Sequence, residues 1–219
     1  KTAYMACGHN SVLRDDDGRW YLVNHARFDD GSEYHEVRVH EMHFNADGWA
    51  VVEPFEYSGD VMSAGGYEES DIAGEYELID HGTDTGKTIH SSVKITLSAD
   101  GKISGAVSGT WSQEPDSSAA ELNIGGQRYS GYFSAIRDES GSGKRYMTFT
   151  AVGSNNRTVW GAKTSPYTGT DRIPSADFTN RDSQLVYAPD TLGTTNYMNK
   201  ISGTNLLSGQ TYFIRNENS

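Results

Sequence analysis

Asp-Gly and Gly-Gly dipeptides recur between short β-type segments, and this punctuation constrains the fold of the chain more than any other feature. They stand at Asp17-Gly18, Asp30-Gly31, Asp47-Gly48, Asp100-Gly101 and Gly125-Gly126. Tight hairpin turns need residues that adopt positive φ angles, and Gly and Asp do so at little cost. The segments between the turns are rich in β-branched and aromatic residues and show no helical period. The sequence therefore predicts an all-β protein built from antiparallel hairpins.

The strand-length segments fall into two groups, separated by a stretch rich in Gly, Ser and acidic residues. The first group predicts strands at residues 11–14, 20–26, 35–44 and 50–53. Three or four antiparallel strands in about fifty residues are the unit of a propeller blade. Residues 58–71 read as a connector, and the acidic stretch from Glu68 to Asp71 reads as linker rather than helix.

The second group predicts a small closed barrel or sandwich of roughly a hundred residues. Its strands are expected at residues 76–79, 93–97, 103–107, 121–124, 127–133, 146–151 and 158–162. Beyond Ser165 the chain becomes polar and irregular, and it ends in one new strand. We therefore predict a blade with its linker at residues 1–71, a barrel domain at 72–165 and an irregular tail at 166–219.

The charge balance excludes several function classes. The net charge of −12 leaves no basic stripe to neutralise phosphates, which argues against a nucleic-acid surface and disfavours anionic membranes. No apolar run approaches the length of a membrane span. The single cysteine, Cys7, permits no internal disulfide. The chain begins at Lys1 rather than Met, which we interpret as a processed or cut end, and this composition suits a secreted protein that handles neutral polymers.

Several motifs follow one another in the first group of strands. They are Gly8-His9-Asn10-Ser11-Val12, then residues 16–23 around Trp20-Tyr21-Leu22-Val23, His25-Ala26-Arg27-Phe28, residues 35–40, and Asn45-Ala46-Asp47-Gly48-Trp49. In this order, residues 4–57 resemble the final blade of glycoside hydrolase family 43, in particular of its endo-α-1,5-L-arabinanases. One position departs from the family pattern, since Cys7 stands where a Pro is expected.

Two later segments carry further resemblances. Residues 72–164 are similar to the C-terminal β-barrel domain of the larger arabinanases through residues 72–82, 105–111 and Val159-Trp160-Gly161. Residues 209–219 are similar to the opening strand of a ricin-type trefoil sugar-binding module. The implied fold is all-β: the final blade of a five-bladed β-propeller followed by a small β-barrel or sandwich domain.

The resemblance implies a function for the whole molecule rather than for this chain alone. It implies the C-terminal part of a secreted endo-acting glycoside hydrolase that cleaves α-1,5-L-arabinan with inversion. The family's catalytic Asp, Asp and Glu belong to earlier blades, so a separate or missing N-terminal propeller part would supply them. Two alternatives stay open: a non-catalytic carbohydrate-binding protein whose barrel does the binding, and a related family 43 xylosidase or arabinofuranosidase.

The chain offers no convincing catalytic pair of its own. Inverting hydrolysis needs two carboxyl groups on opposite sides of the scissile bond. Asp15, Asp16 and Asp17 are adjacent in a predicted turn, which favours a solvated hairpin. The resemblance implies a different role for His9, which would reach the propeller axis and bind a calcium ion largely through water. The alternative is a hydrogen-bonded axial histidine without a metal.

Asn10, His25 and Arg27 are the candidate substrate-binding residues. Arg and His can hydrogen-bond sugar hydroxyls, although pairing of Arg27 with nearby acids is an equal alternative. Five of the seven histidines lie within residues 9–43, but their spacing on a predicted strand does not match a zinc site. We expect half-buried structural histidines at positions 35, 40 and 43 instead. Trp20 and Trp49 read as packing residues of the blade, and Trp111 and Trp160 as barrel core.

Overall fold

The described part of the chain is almost entirely β. The computed structural model describes residues 4–28, 31, 33–83 and 90–172. The tail predicted at 166–219 falls mostly outside this range, and so does the trefoil-like strand at 209–219. No helix in the described residues is long and apolar enough to cross a membrane.

The first unit is a four-stranded antiparallel sheet in sequential order. Its strands are β1 (Tyr4–Arg14), β2 (Trp20–Phe28), β3 (Glu36–Phe44) and β4 (Ala50–Val52). The turns form where the Asp-Gly signals predicted them, with Gly18 and Gly48 at φ of 87° and 81°. β1 is longer than predicted because it continues through two irregularities, between Met5 and Gly8 and between Gly8 and Ser11.

A one-turn helix, α1 (Glu69–Ile72), follows the sheet, so the expectation of a pure linker at 68–71 is wrong. Backbone N–H groups of Asp71 and Ile72 both donate to the Glu68 carbonyl. The Ile72 side chain is fully buried against the barrel and anchors the turn. A single turn is too short to show a 3.6-residue period, so tertiary packing decides its conformation.

Eight strands close into a barrel, in which β12 pairs with β5. They are β5 (Gly74–Asp80), β6 (Val93–Leu97), β7 (Lys102–Gly105), β8 (Gly109–Gln113), β9 (Ala119–Ile124), β10 (Gln127–Arg137), β11 (Arg145–Gly153) and β12 (Thr158–Pro166). The sequence predicted seven strands and missed β8. Gly105, at φ 108°, ends β7 early, and the chain then turns back as a separate strand. The predicted choice between barrel and sandwich is settled in favour of a closed barrel.

Large side chains fill the barrel interior. Tyr76, Phe133 and Phe149 are all fully buried, and Trp111 packs edge-on against Phe133 as core, as predicted. Gly161 leaves room for the Phe149 ring, because a Cβ at Gly161 would lie 2.1 Å from Phe149 Cε1. The interior is thus a packed core rather than an open ligand cavity.

Two other tryptophans differ from the prediction. Trp160 is half-buried and stacks edge-on against His81 with ring centroids 4.4 Å apart, so it is not part of the barrel core. Its neighbours Val159 and Gly161 point inward, and strand alternation turns Trp160 outward. Trp49, expected to pack within the sheet, is 62% exposed. Trp20 does pack, edge-on against Phe44.

The sheet contacts the barrel through its β3–β4 side. The amide of Asn45 donates to the Ser130 carbonyl over 2.9 Å, and the Tyr132 hydroxyl donates to the Phe44 carbonyl over 2.7 Å. Asn45 is 5% exposed, so its bond is sheltered from water. These bonds fix the hairpin between β3 and β4 on strand β10 of the barrel.

Candidate functional site

The irregular centre of β1 carries the first predicted site residues. His9 adopts a φ of 50°, which is uncommon for a residue other than Gly. The pairing of β1 with β2 shifts on both sides of Gly8, so Gly8, His9 and Asn10 depart from the regular ladder. Both His9 and Asn10 are exposed. The bulge therefore presents an imidazole and an amide to the surroundings.

His25 lies next to this bulge on β2. Its partner across the strands is Gly8, and its ring centroid is 6.0 Å from that of His9. On the other side it stacks edge-on with His35 at 4.6 Å. His25 is half-buried, whereas His35 is exposed, contrary to the expectation of burial at position 35. The fold thus brings His9 and His25 together with a third histidine that the sequence did not place there.

Arg27 is held by an acid. Its Nη1 donates to Glu33 Oε2, and its Nε is shielded from solvent without a hydrogen bond in the described part of the chain. Arg27 pairs across the strands with Met5, two positions beyond His25 on the same face of β2. The structure therefore shows the acid pairing that the sequence left as one of two alternatives for Arg27.

The side chains around His9 limit how the described residues could bind a metal ion. Within the described ranges, no group of three or more His, Cys, Asp or Glu side chains is placed to hold an ion. Calcium takes six to eight oxygen ligands, and the described residues bring no such set of side chains together. The exposed His9 imidazole can offer one contact to an ion otherwise coordinated by water or by groups outside the chain.

The acids at the β1–β2 turn have structural roles. Asp15 accepts hydrogen bonds from the Arg19 backbone N–H at 2.8 Å and from the Tyr21 hydroxyl at 3.0 Å. Asp17 pairs with the Arg19 guanidinium at 3.4 Å. These bonds stabilise the hairpin, in agreement with the predicted turn.

A buried polar cluster on β3 and after β4 was not foreseen. Glu41 and Glu53 are 5% and 1% exposed, and His43 Nε2 lies 3.0 Å from Glu53 Oε1. His40 is buried with its Nδ1 3.0 Å from the Glu53 carbonyl. The prediction of structural histidines with polar partners is thus confirmed for His40 and His43. The alternation of Glu41 and His43 along β3 was visible in the sequence, but their burial was not.

Electrostatics in this cluster shift two pKa values. Burial raises the pKa of Glu41 to about 7; the nearby charge of Glu53 adds to the increase, while His43 opposes it. Burial alone would lower the pKa of His43, but its hydrogen bond to Glu53 and the charges of Glu53 and Glu41 raise it overall. Both groups therefore hold protons more tightly in the folded chain.

Comparison with known families identifies the barrel and the segment before it. Residues 54–161 match the model of the GH43 C-terminal lipocalin-like domain. Residues 54–161 belong to this family. The match begins just after β4 and includes the connector, α1 and most of the barrel. The resemblance to glycoside hydrolase family 43 is thereby confirmed.

Two curated relatives of the GH43 domain are similar over about three quarters of the chain. The extracellular endo-α-(1→5)-L-arabinanase 2 of Bacillus subtilis strain 168 is 38% identical over 163 residues, which cover 74% of this chain and 34% of the relative. The extracellular endo-α-(1→5)-L-arabinanase of Thermotoga petrophila is 35% identical over 164 residues, 73% of this chain and 34% of the relative. The chain thus spans about a third of the length of these relatives.

Solved structures with a GH43 domain also resemble the chain. The glycoside hydrolase family 43 YxiA protein from Bacillus licheniformis superposes with a TM-score of 0.70 at 40% identity, covering 75% of this chain and 37% of that one. The endo-1,5-α-L-arabinanase from Thermotoga petrophila gives a TM-score of 0.66 at 32% identity, with 74% and 36% covered.

Proposed function

We propose that the chain is the C-terminal part of an extracellular endo-acting glycoside hydrolase that cleaves α-1,5-L-arabinan with inversion. The observation that carries the proposal is the similarity to two extracellular endo-arabinanases, each matched over about a third of its length. In this proposal the four-stranded sheet is the last blade of a five-bladed propeller. An N-terminal part outside the chain supplies the other blades and the catalytic Asp, Asp and Glu.

The placement of the acids in the sheet supports the proposal that the catalytic carboxylates come from outside this chain. Inversion needs an acid and a base about 6.5–9.5 Å apart across a cleft that admits water. Asp15 instead stabilises a turn, Glu33 pairs with Arg27, and Glu53 is buried at the barrel. This arrangement favours a structural role for the sheet's acids and a catalytic centre completed elsewhere.

The bulge of β1 around His9 would then face the substrate cleft. His9 would hold a mostly hydrated calcium ion largely through its bound water, and the ion would supply positive charge that favours ionised carboxylates nearby. Asn10 and His25 would hydrogen-bond sugar hydroxyls. Arg27, oriented by Glu33, would hold its guanidinium at the cleft edge. The barrel would support the blade through the Asn45 and Tyr132 hydrogen bonds.

An activity comparison tests the proposal. The purified chain alone should release no product from linear arabinan, whereas the chain assembled with its N-terminal propeller part should release oligosaccharides. Turnover by the rigorously purified chain alone would refute the proposal that an N-terminal part supplies the catalytic residues. Release of monosaccharide by the assembly would indicate a xylosidase- or arabinofuranosidase-type activity. Arabinan binding without turnover by the assembly would favour the carbohydrate-binding alternative.

Replacing His9 tests the calcium contact. In the assembled enzyme, His9→Ala should lower calcium affinity and activity about 10- to 100-fold, the range for a group that acts on a metal through its outer coordination shell. Calcium content measured by atomic emission and arabinan hydrolysis are the readouts. His35→Ala is the matched control, because His35 belongs to the same stack of rings but contacts the ring of His25. Equal calcium content in both variants would remove the role assigned to His9.

A further inference from the structure

Two glutamates lie opposite each other in the buried junction between sheet and barrel. The backbone N–H of Glu53 donates to the Glu41 carbonyl over 2.9 Å, which continues the antiparallel register of β3 and β4 by one residue. Opposite residues on neighbouring strands project from the same face with Cβ atoms about 5 Å apart. Like charges at such positions destabilise a sheet, and burial increases the penalty. Both side chains are almost fully buried, at 5% and 1% exposure.

The partners of Glu53 come from both units. His43 on β3 approaches Oε1 at 3.0 Å, and the Thr148 hydroxyl on β11 donates to Oε2 over 3.4 Å. Thr148 is itself fully buried, and its single hydroxyl proton is shared between Glu53 Oε2 and the Ser134 carbonyl of the barrel, which lies 3.0 Å away. The carboxylate of Glu53 thus joins the sheet to the barrel.

The cations near Glu41 are largely committed to other acids. The groups that face it are His43 on its own strand, Glu53 opposite, Tyr21 on β2, and Asp15 with Arg19 from the first turn. The Tyr21 hydroxyl donates to Asp15, and Arg19 pairs with Asp17.

The connector and the barrel add charged groups that are also paired. Glu56 and Asp60 line the same small cavity as Glu41 and Glu53. Arg38 pairs with Glu56, and Arg137 pairs with Asp60. Among the described residues, His43 is therefore the cation that both contacts Glu53 and faces Glu41.

We propose that Glu41, His43 and Glu53 form a proton-operated joint that holds the barrel on the sheet. While Glu41 carries a proton, the His43 imidazolium pairs with the Glu53 carboxylate, and the sheet and the barrel stay packed together. When Glu41 loses its proton, two carboxylates lie opposite each other in a buried site with one imidazolium between them. The segment after β4 then separates more readily from the barrel.

The direction of the pH dependence follows from the two pKa shifts. The pKa of Glu41 rises from 4.5 to about 7 on folding, so between these values the folded chain binds more protons than the unfolded chain. Stability of the joint therefore falls as pH rises through this window and levels off above it. The raised pKa of His43 acts in the same direction, because the stability it contributes is lost as pH rises through its folded value.

Hydrogen exchange measured by mass spectrometry tests the joint in the full 219-residue chain. After correction for intrinsic exchange rates, protection of residues 50–56 should fall about tenfold or more between pH 5.5 and 8. Protection of the barrel segment 93–105 should change much less. In Glu41→Gln, protection of residues 50–56 should fall clearly less over the same pH range, and the part that remains is the contribution of His43. Glu121→Gln, an exposed acid on β9, should behave as the parent chain does.

A parallel pH profile in the parent chain and Glu41→Gln would overturn the proposal. A second measurement does not depend on any variant folding. The carboxyl carbon of Glu41, assigned by triple-resonance NMR, should titrate with a midpoint near 7. A midpoint at the ordinary glutamate value would also overturn it.

Discussion

Phe149→Ala should destabilise the barrel by about 4 kcal/mol, the range for removing a buried aromatic ring from a core. Phe149 is fully buried, with ring centroids 5.7 Å from Tyr76 and 6.2 Å from Phe133. Its ring lies against Gly161, so the backbone of β12 forms part of the cavity wall. Strands closed into a barrel cannot collapse easily around the void, which keeps the penalty high. Urea denaturation followed by far-UV circular dichroism measures the loss.

Two control variants make the Phe149 result specific. Tyr34→Ala removes an aromatic ring that is 81% exposed and should change the unfolding free energy by less than about 0.5 kcal/mol. Phe149→Leu keeps most of the volume and should cost clearly less than Phe149→Ala. A loss below about 1 kcal/mol for Phe149→Ala would show that the barrel interior is not the packed core described above.

Local signals in the sequence predicted those parts of the fold that local chemistry determines. The Asp-Gly turns at Gly18 and Gly48 formed hairpins, and the alternating segment Val93–Leu97 formed β6 with the predicted bounds. Where a glycine interrupts a pattern, prediction failed: Gly105 ends β7 before the predicted bound at residue 107, and the following strand, β8, was missed. Trp160 was misplaced because hydrophobicity does not say which face of a strand turns inward.

The residues of the candidate site also differ in whether the sequence could predict them. His9, Asn10, His25 and Arg27 were proposed as site residues from a motif, and the structure places them on the neighbouring strands β1 and β2. The burial of Glu41 and Glu53 could not be predicted, because charged residues on alternate positions of a strand are typical of a solvated face. One partner of the buried Glu53 carboxylate is Thr148, 95 residues away along the chain. Only the closed barrel brings these positions together.

The composition of the connector also gave no sign of how firmly it is attached to the barrel. Residues 58–71 have the composition of a flexible linker, yet the Asp60 side chain is only 8% exposed. Its Oδ1 lies 2.9 Å from Arg137 Nη1 and 3.6 Å from Arg145 Nε. Its Oδ2 accepts the Arg137 backbone N–H at 2.9 Å and the Ser58 hydroxyl at 3.2 Å. One carboxylate thus ties the connector to β10 and β11.

Asp60→Asn should cost about 2 kcal/mol of unfolding free energy, since hydrogen bonds to a charged group contribute roughly 1.5–3 kcal/mol. The amide keeps the shape of the side chain but removes the charge, and its NH₂ cannot accept from either arginine. Urea denaturation gives the loss, and hydrogen exchange should show faster exchange at residues 57–66.

Asp100→Asn is the matched control for Asp60→Asn. Asp100 also pairs with a cation, Lys102, but its side chain is 55% exposed, so its replacement should cost clearly less than that of Asp60. Salt separates the two cases further: about 1 M NaCl screens exposed pairs and should erase much of the Asp100 effect while leaving most of the Asp60 effect. Equal losses for the two variants, both removed by salt, would mean that Asp60 behaves as a surface charge and does not hold the connector on the barrel. A persistent loss at Asp60 would show that a segment with linker composition is a structural part of the barrel, fastened by a buried charge.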